Sequence, residues 1–240
     1  MKHFFTFGGF DSRDLNLCIT GIDRSGTPER EVSKISVLGR SGDLLIDSGR
    51  YKNIEITYHV AILSDFNRAF QTMKTAMLSQ IGYHRLTDSF NPDEFVIGAF
   101  AGTISPELVR RGQTGTFDLV FDCKPQRYII DGTHAIQMQN PSSLVNGTGF
   151  PALPLITVHG SGSGSITVGN TRVEIRKLQG SLILDCDLQN AYTIGAGGAL
   201  ENKNADITAP VFPVLSSGTN EIGWSGGITG IEIIPRWWTI

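Results

Sequence analysis

An alternating apolar run in the first quarter of the chain most constrains its fold. Every second residue of this run is large and apolar, namely Ile54, Ile56, Tyr58, Val60 and Ile62. A period of two places these side chains on one face of a β-strand and leaves the other face toward water. Upstream, Gly39 and Gly42 flank Arg40 and Ser41, and glycines at such positions permit a tight turn. We therefore expect paired antiparallel strands here.

The composition favours a β protein of one large domain or two ordinary ones. The chain has 240 residues, of which 28 are glycine and only 18% are charged. Many glycines and few charges are typical of a turn-rich β protein that buries part of its surface in an assembly. A net charge of −3 disfavours a nucleic-acid binder, which carries a basic surface.

The sequence carries no sign of a membrane or secretion segment. No apolar run approaches the ~18–20 residues that span a bilayer, and residues 1–10 are too short and too interrupted by glycine for a signal peptide. We therefore expect synthesis in the cytoplasm and no membrane insertion.

One helix is predicted at about 65–81. Apolar residues recur there at spacings of three and four, namely Phe66, Phe70, Met73, Met77 and Ile81. Such a stripe packs on a sheet. Ser64 or Asp65 is expected to cap the first amides, and Gly82 to close the C-terminal end.

The second half of the chain predicts further β structure. Turn signals between residues 131 and 150 indicate a linker between domains at 1–130 and 151–240. Residues 160–165, Gly-Ser-Gly-Ser-Gly-Ser, predict a flexible turn, and Gly169-Asn170 predicts a compact hairpin turn. The expected fold class is mainly β: an N-terminal antiparallel sheet or barrel with one packed helix, followed by a β-sandwich.

The cysteines and histidines show no metal-binding spacing. Cys18, Cys123 and Cys186 are far apart and include no C-x-x-C pair, so neither a zinc site nor a disulfide framework is indicated. Cys123 continues the apolar register of its strand and is expected in the core. His59 lies on the polar face of the alternating run and is interpreted as a surface residue.

No catalytic constellation is evident. The pairs Asp118 with Asp122 and Asp185 with Asp187 are compatible with calcium binding or a glycosidase, but solvated strand faces are the preferred interpretation. The repeat at 160–165 lacks the register of a nucleophile elbow. We expect no enzyme activity and no cofactor.

Trp237 and Trp238 follow Arg236 near the C-terminus. Adjacent residues on a strand point to opposite faces, so one tryptophan can be in the core while the other contacts a sugar or a protein. The alternative, that its own domain partly buries the second tryptophan, stays open.

Six segments occur in an order typical of one protein family. They are residues 4–10, the turn 39–42, the strand end 121–128, residues 146–154, residues 212–220 and residues 235–237. Together they resemble the distal tail protein of siphophages, the Dit family, which has prophage relatives. Many members carry Gly-Arg-Asp-Gly at the turn, where this chain has Ser41. The resemblance covers nearly the whole chain.

The resemblance implies a structural virion protein at the tip of a long non-contractile tail. Its first domain would resemble the tail-tube β-barrel and its second a galectin-like sandwich. Family members form hexameric rings that join the tail tube protein to the tail-associated hub protein and support receptor-binding proteins. The hairpin at residues 29–49 is then the candidate arm, with Arg40, Ser41 and Asp43 as candidate inter-subunit contacts. The alternative function is carbohydrate binding at the host surface through the second domain, with Trp237 or Trp238 as contact aromatics.

Overall fold

The alternating run forms a strand from Ile54 to Ile62, and its five apolar side chains are buried. The computed structural model describes residues 2–24, 26–109 and 113–240. The chain divides into two compact units, Met1–Arg127 with Ile240, and Tyr128–Thr239. Each unit has its own apolar core.

The N-terminal half is dominated by one sheet. This half of the chain contains one short 3-10 helix at Ser12–Leu15 and ten strands that are described: β1 (Phe5–Phe7), β2 (Phe10–Asp11), β3 (Cys18–Arg24), β4 (Arg30–Ile35), β5 (Leu44–Tyr51), β6 (Ile54–Ile62), β7 (His84–Asp88), β8 (Glu94–Ala99), β9 (Glu107–Val109) and β10 (Thr114–Ile129). The strand order in the large sheet is β2-β1-β7-β8-β10-β6-β3, and β9 pairs with β10. Among the described strands, the sheet ends at β2 on one side and β3 on the other. Of the two predicted alternatives, the structure therefore has the open sheet and not the closed barrel.

The predicted helix, α1, runs from Phe66 to Ser79. Four residues of the predicted stripe are buried: Phe66, Phe70, Met73 and Met77. The prediction that the fifth residue, Ile81, is also buried was wrong. Ile81 is 91% exposed because the helix ends before it.

The predicted helix caps were also wrong. Asp65 precedes the helix in the left-handed region (φ 49°) and makes no side-chain capping bond. At the other end Gln80, in extended backbone, stops the helix and donates its N–H to the carbonyl of Met77 at 3.3 Å. Gly82 therefore follows the helix without closing it.

The second unit is built on three long strands. Its strands, with short 3-10 helices at Ile130–Thr133, Ala196–Gly198 and Asn204–Asp206, are β11 (Ile136–Gln137), β12 (Ser142–Asn146), β13 (Leu155–Val168), β14 (Thr171–Asp185), β15 (Asn190–Ile194), β16 (Leu200–Asn202), β17 (Ile207–Thr208), β18 (Gly218–Ile234) and β19 (Trp238–Thr239). The order is β11-β18-β13-β14-β15-β16, with β12 on β18 and β17 on β14. The predicted turn at Gly169-Asn170 joins β13 to β14.

Residues 160–165 form part of β13, so the predicted flexible turn was wrong. Here β13 pairs with both β14 and β18, and its register shifts on both sides. A Cβ atom on Gly227 of β18 would overlap the carbonyl oxygen of Ser161, and one on Gly160 would overlap that of Gly227. The glycines let two backbones approach closely at a bend. We call residues 160–164 and 226–228 the glycine corner.

Residues 131–150, predicted as a linker, contain β11 and β12, and both strands pair with β18. The side chain of Asn146 is buried, and its amide donates to the carbonyls of Phe150 at 2.9 Å and Leu215 at 3.0 Å. This stretch therefore contributes strands to the second sheet. The galectin-like character of that unit stays a prediction.

Candidate assembly surface on the exposed arm

Strands β4 and β5 form a two-stranded sheet of their own, which we call the arm together with its connecting turn, residues 29–52. In the described part of the chain, each of these strands pairs only with the other. The arm carries large exposed aliphatic side chains, namely Val32, Ile35, Val37, Leu38, Leu44, Leu45 and Ile46. Large apolar side chains that are exposed together on one segment of a folded protein mark a site of interaction with a partner.

The base of the arm is charged, and its charges are paired within the arm. Arg30 contacts Asp47 at 2.6 Å, Arg50 contacts Glu31 at 2.8 Å, and Lys52 contacts Glu29 at 2.9 Å. All three pairs are largely exposed to solvent, where an ion pair contributes at most about 1 kcal/mol. They hold the two strands in register without supplying a hydrophobic core.

The predicted contact residues Arg40, Ser41 and Asp43 lie together at the tip of the arm, and all three are exposed. The turn there is closed by the Arg40 N–H, which donates to the carbonyl of Val37 at 3.1 Å. Gly39 and Gly42 have φ of 79° and 84°, a region that favours glycine. The tip can therefore present a cation, a hydroxyl and a carboxylate to a partner, and their role as contacts stays a prediction.

Both C-terminal tryptophans are half-buried against the core of the second unit. The Trp238 ring stacks on Phe150 with centroids 4.6 Å apart, and its indole N–H donates to the carbonyl of Pro151 at 2.9 Å. Trp237 packs against the backbone of Gly132 so closely that a Cβ there would contact it. Of the two interpretations, this packing favours burial by the unit itself over an exposed sugar platform.

Asp185 is buried, so its interpretation as part of a solvated face was wrong. Arg236 donates to both of its oxygens, at 2.7 Å and 3.1 Å. Burial alone would raise the pKa of Asp185, but the bonds from Arg236 and from the amides of Leu188 and Asp187 together hold that pKa below its ordinary value. The pair anchors the end of β14 and is structural. Asp187 is exposed.

Asp118 and Asp122 lie on the exposed face of β10, as interpreted, but they do not gather at one site. Asp118 accepts a bond from His59 at 2.7 Å, while Asp122 accepts one from Asn53 at 2.8 Å. The other ring nitrogen of His59 contacts Asp23 at 3.0 Å. A carboxylate only accepts hydrogen bonds, so the two contacts are both hydrogen bonds only when both ring nitrogens of His59 carry a proton. The bonds to Asp118 and then to Asp23 raise the pKa of His59.

A buried polar cluster in the first unit was not identified from the sequence. The Tyr58 hydroxyl donates to Asp88 at 2.6 Å, and Arg24 bonds to the same carboxylate. The other Asp88 oxygen accepts from the amides of Phe90 and Asn91. Burial, and then the charge of Asp88, raise the pKa of Tyr58. A tyrosine in a buried register needs an acceptor, but the sequence alone does not reveal which residue supplies it.

Two of the three cysteines are buried. Burial raises the pKa of the Cys123 and Cys186 thiols to about 12, so neither is a thiolate near neutrality. Within residues 2–24, 26–109 and 113–240, no three His, Cys, Asp or Glu side chains converge as metal ligands. Over the same residues, no helix has the length and apolar character needed to cross a bilayer.

Comparison with known proteins places the fold among bacteriophage tail-tip and baseplate components. No protein-family model matches the sequence, and no curated protein matches it either. The matches come from solved structures, and at such low identity they establish the fold alone.

The Dit protein of phage SPP1, described as a paradigm of the hub adsorption apparatus in phages that infect Gram-positive bacteria, is similar over 100% of both chains. It has a TM-score of 0.73 and 10% identity. A chain of the phage P2 baseplate, activated with calcium, has a TM-score of 0.54 and 10% identity over 97% of this chain and 98% of its own. A chain of the strontium-activated baseplate has a TM-score of 0.52 and 8% identity over 96% and 97%. The Dit-like fold expected from the sequence is confirmed.

Proposed function

We propose that this chain is a structural virion protein at the distal end of a long non-contractile phage tail. There it assembles into a hexameric ring that joins the tail tube protein to the tail-associated hub protein. The observation that carries the proposal is the arm, a two-stranded ribbon with seven large exposed aliphatic side chains. Such a surface is costly in water and is covered in the working assembly. The full-length likeness to the SPP1 Dit protein supports the location.

A ring also suits the open edges of the first sheet. The described ladder ends at β2 and β3, and an uncovered edge strand risks pairing with other chains at random. A closed ring of identical subunits covers such surfaces in a defined way, because each copy offers one surface and receives another.

The proposal assigns no catalysis and no cofactor to the chain. Its partners are other copies of itself, the tail tube protein, the hub protein and a receptor-binding protein docked on the ring. It has no specific nucleic-acid partner and does not insert into a membrane. The protein is made in the bacterial host and resides in the virion. Sugar binding through Trp237 or Trp238 is disfavoured, since Phe150 stacks on the Trp238 ring and the Pro151 carbonyl accepts a hydrogen bond from the Trp238 indole N–H.

Native mass spectrometry and negative-stain microscopy of the purified protein test this proposal. We expect a ring of six at micromolar concentration. A variant in which residues 32–47 are replaced by a two-residue turn should stay monomeric, while its circular dichroism and thermal midpoint resemble those of the wild type. The body should tolerate this change because β4 and β5 pair only with each other among the described strands.

Two results would overturn the proposal. One is a wild-type protein that is strictly monomeric, both alone and with purified tail tube and hub proteins. The other is a ring that forms equally well without the arm, which would remove the arm from the interface. Leu188→Ser serves as the matched control, because Leu188 is an exposed leucine of the second unit and its loss should leave the ring intact.

A further inference from the structure

Asn146 and Gly147 form the single Asn-Gly step in the sequence. In such a step the amide nitrogen of the glycine can attack the side-chain carbonyl carbon of the asparagine, because glycine has no Cβ to hinder the approach. Gly147 is exposed, and a Cβ there would meet nothing within 4 Å. The step is therefore chemically prone to spontaneous deamidation, and its attacking nitrogen belongs to an exposed residue.

The asparagine side chain, in contrast, is buried and held by four hydrogen bonds. Its Nδ2 donates to the carbonyls of Phe150 at 2.9 Å and Leu215 at 3.0 Å. Its Oδ1 accepts from the Thr148 N–H at 2.9 Å and from the Thr148 hydroxyl at 2.7 Å. These bonds use both donors and both lone pairs of the amide. We call this arrangement the Asn146 clamp. Deamidation requires that Nδ2 leave as ammonia, so the clamp has to open first.

The main chain around the clamp is itself fixed. Leu215 and Ala152 exchange two backbone hydrogen bonds of 2.9 Å. Asn146 lies opposite Gly218 in the ladder of β12 and β18. The buried side chain of Asn220 donates to the carbonyl of Gly218 at 3.1 Å. The acceptors of the clamp therefore cannot move away singly, and the clamp opens only when this part of the second unit unfolds locally.

We propose that Asn146 is a latent deamidation site, which the folded second unit protects and local opening releases. Once the clamp is open, the Gly147 nitrogen loses its proton to the solvent and bonds to the side-chain carbonyl carbon of Asn146. The bond from that carbon to Nδ2 breaks, and the nitrogen takes up a proton and leaves as ammonia. Water then opens the cyclic imide to aspartate or isoaspartate. The reaction transfers no electrons.

The clamp cannot form again after the reaction. Aspartate has an oxygen in place of Nδ2, and that oxygen would face the carbonyl oxygens of Phe150 and Leu215, which donate no proton. Burying an oxygen that lacks a donor is unfavourable. Isoaspartate adds a carbon atom to the main chain at the end of β12, where Asn146 pairs with Gly218. A chain that stays open long enough is therefore altered permanently, and its second unit does not regain its original stability.

Peptide mapping by mass spectrometry, with detection of isoaspartate, measures the reaction at mildly alkaline pH. We expect Asn146 in the native protein to react at least about tenfold more slowly than in urea above the unfolding transition. Thr148→Val removes the hydroxyl from the clamp and keeps the main-chain N–H. It should speed the native reaction about fivefold, the effect of losing one hydrogen bond, and leave the rate in urea unchanged.

Two further variants serve as controls. Thr171→Gly places a glycine after the exposed Asn170, in the turn between β13 and β14. In this native variant Asn170 should react at least about tenfold faster than Asn146, because it has no comparable clamp. Gly147→Ala keeps the clamp but hinders the attack, so in urea it should slow the reaction at Asn146 at least about tenfold.

The permanence of the change is measured separately. Wild-type protein that has been deamidated in urea and returned to buffer should have a lower urea midpoint than protein refolded at once, as reported by tryptophan fluorescence. Equal midpoints would show that the clamp is not needed. Equal rates of reaction in native and unfolded protein, or a native rate that Thr148→Val does not change, would refute the protection. None of these results depends on the proposed ring.

Discussion

The glycine corner of the second unit and the tip of the arm look alike in sequence, since both place glycines among small or polar residues. In the corner, a Cβ on Gly160 or Gly227 would overlap a backbone carbonyl of the facing strand. At the arm tip, a Cβ on Gly39 or Gly42 would meet nothing within 4 Å. The corner needs glycine for space, and the tip needs it only for backbone conformation. The same composition therefore marks a packed junction in one region and an open turn in the other.

The difference extends to the residues around the glycines. In the second unit, apolar side chains and the charge of Asp185 are covered by the unit itself. On the arm, the aliphatic side chains and the ion pairs face solvent. A region that is complete within the chain contributes to folding stability, whereas under the proposed function a region left open contributes to assembly. The predictions below test this division and one exposed contact of the first unit, from the largest effect to the smallest.

Gly227→Ala should destabilise the second unit by about 3 kcal/mol or more, because backbone has to move to admit the methyl group. All three tryptophans, Trp224, Trp237 and Trp238, belong to this unit. Their fluorescence during urea denaturation therefore reports its unfolding. Gly230→Ala on the same strand is the control, since a Cβ there meets nothing within 4 Å, and it should change stability by less than about 1 kcal/mol. Equal midpoints for the two variants would contradict a tightly packed corner.

Asp185→Asn should cost about 2–3 kcal/mol, since it leaves the partly buried Arg236 guanidinium without its counter-charge. Asp47→Asn removes an exposed pair in the arm and should cost about 0.5 kcal/mol or less.

The pH dependence of the wild type checks the same pair. The pKa of Asp185 is lower in the folded state than in the unfolded chain, so its stabilisation is present above the unfolded pKa of about 3.9 and is lost as pH falls through the folded value. Tryptophan fluorescence in urea at pH 7 and below pH 4 measures it. A flat difference between the wild type and Asp185→Asn across that range would refute the assignment.

Gly42→Ala should cost about 1 kcal/mol, and only in the arm, because alanine is strained at the φ of 84° found there but has free space around it. Hydrogen exchange of the β4 and β5 amides should become faster in the variant. The urea midpoint reported by tryptophan fluorescence should not move. A global loss of stability as large as that of Gly227→Ala would show that the arm tip is packed after all.

His59→Gln should remove a pH dependence of less than about 1 kcal/mol from the first unit. The folded pKa of His59 is raised, so its stabilisation is fully present below the unfolded pKa of about 6.5 and is lost as pH rises through the folded value. Hydrogen exchange in β3 and β10, compared at pH 6 and pH 8 after correction for the intrinsic rates, is the readout. A wild type whose protection does not weaken toward pH 8 would count against the Asp23–His59–Asp118 bridge.

Local patterns predicted the elements that depend on few neighbours. The alternation from Ile54 to Ile62 and the helical stripe from Phe66 to Met77 are periodic, and period alone assigns their buried faces. The helix ends were predicted less well, since the cap depends on the conformation that the chain reaches at Asp65 and Gln80. At residues 160–165 the sequence favoured a loop, because local propensity contains no information about strand β18 on the other side of the bend.

The arm was identified as an exposed hairpin from its turn and from a family resemblance, and its position at a subunit contact remains a proposal. The bond from Arg236 to Asp185 joins residues 51 positions apart, and that between Tyr58 and Asp88 joins residues 30 apart. Neither pairing follows from spacing.

By itself, the sequence determined that this chain is mainly β with a single helix, because side-chain period and turn residues act over a few positions. Only the tertiary structure decided which carboxylates are buried, which glycines lie against backbone, and which aliphatic side chains find no cover within the chain. Those properties depend on contacts between residues that are distant along the chain, and folding alone brings such residues together.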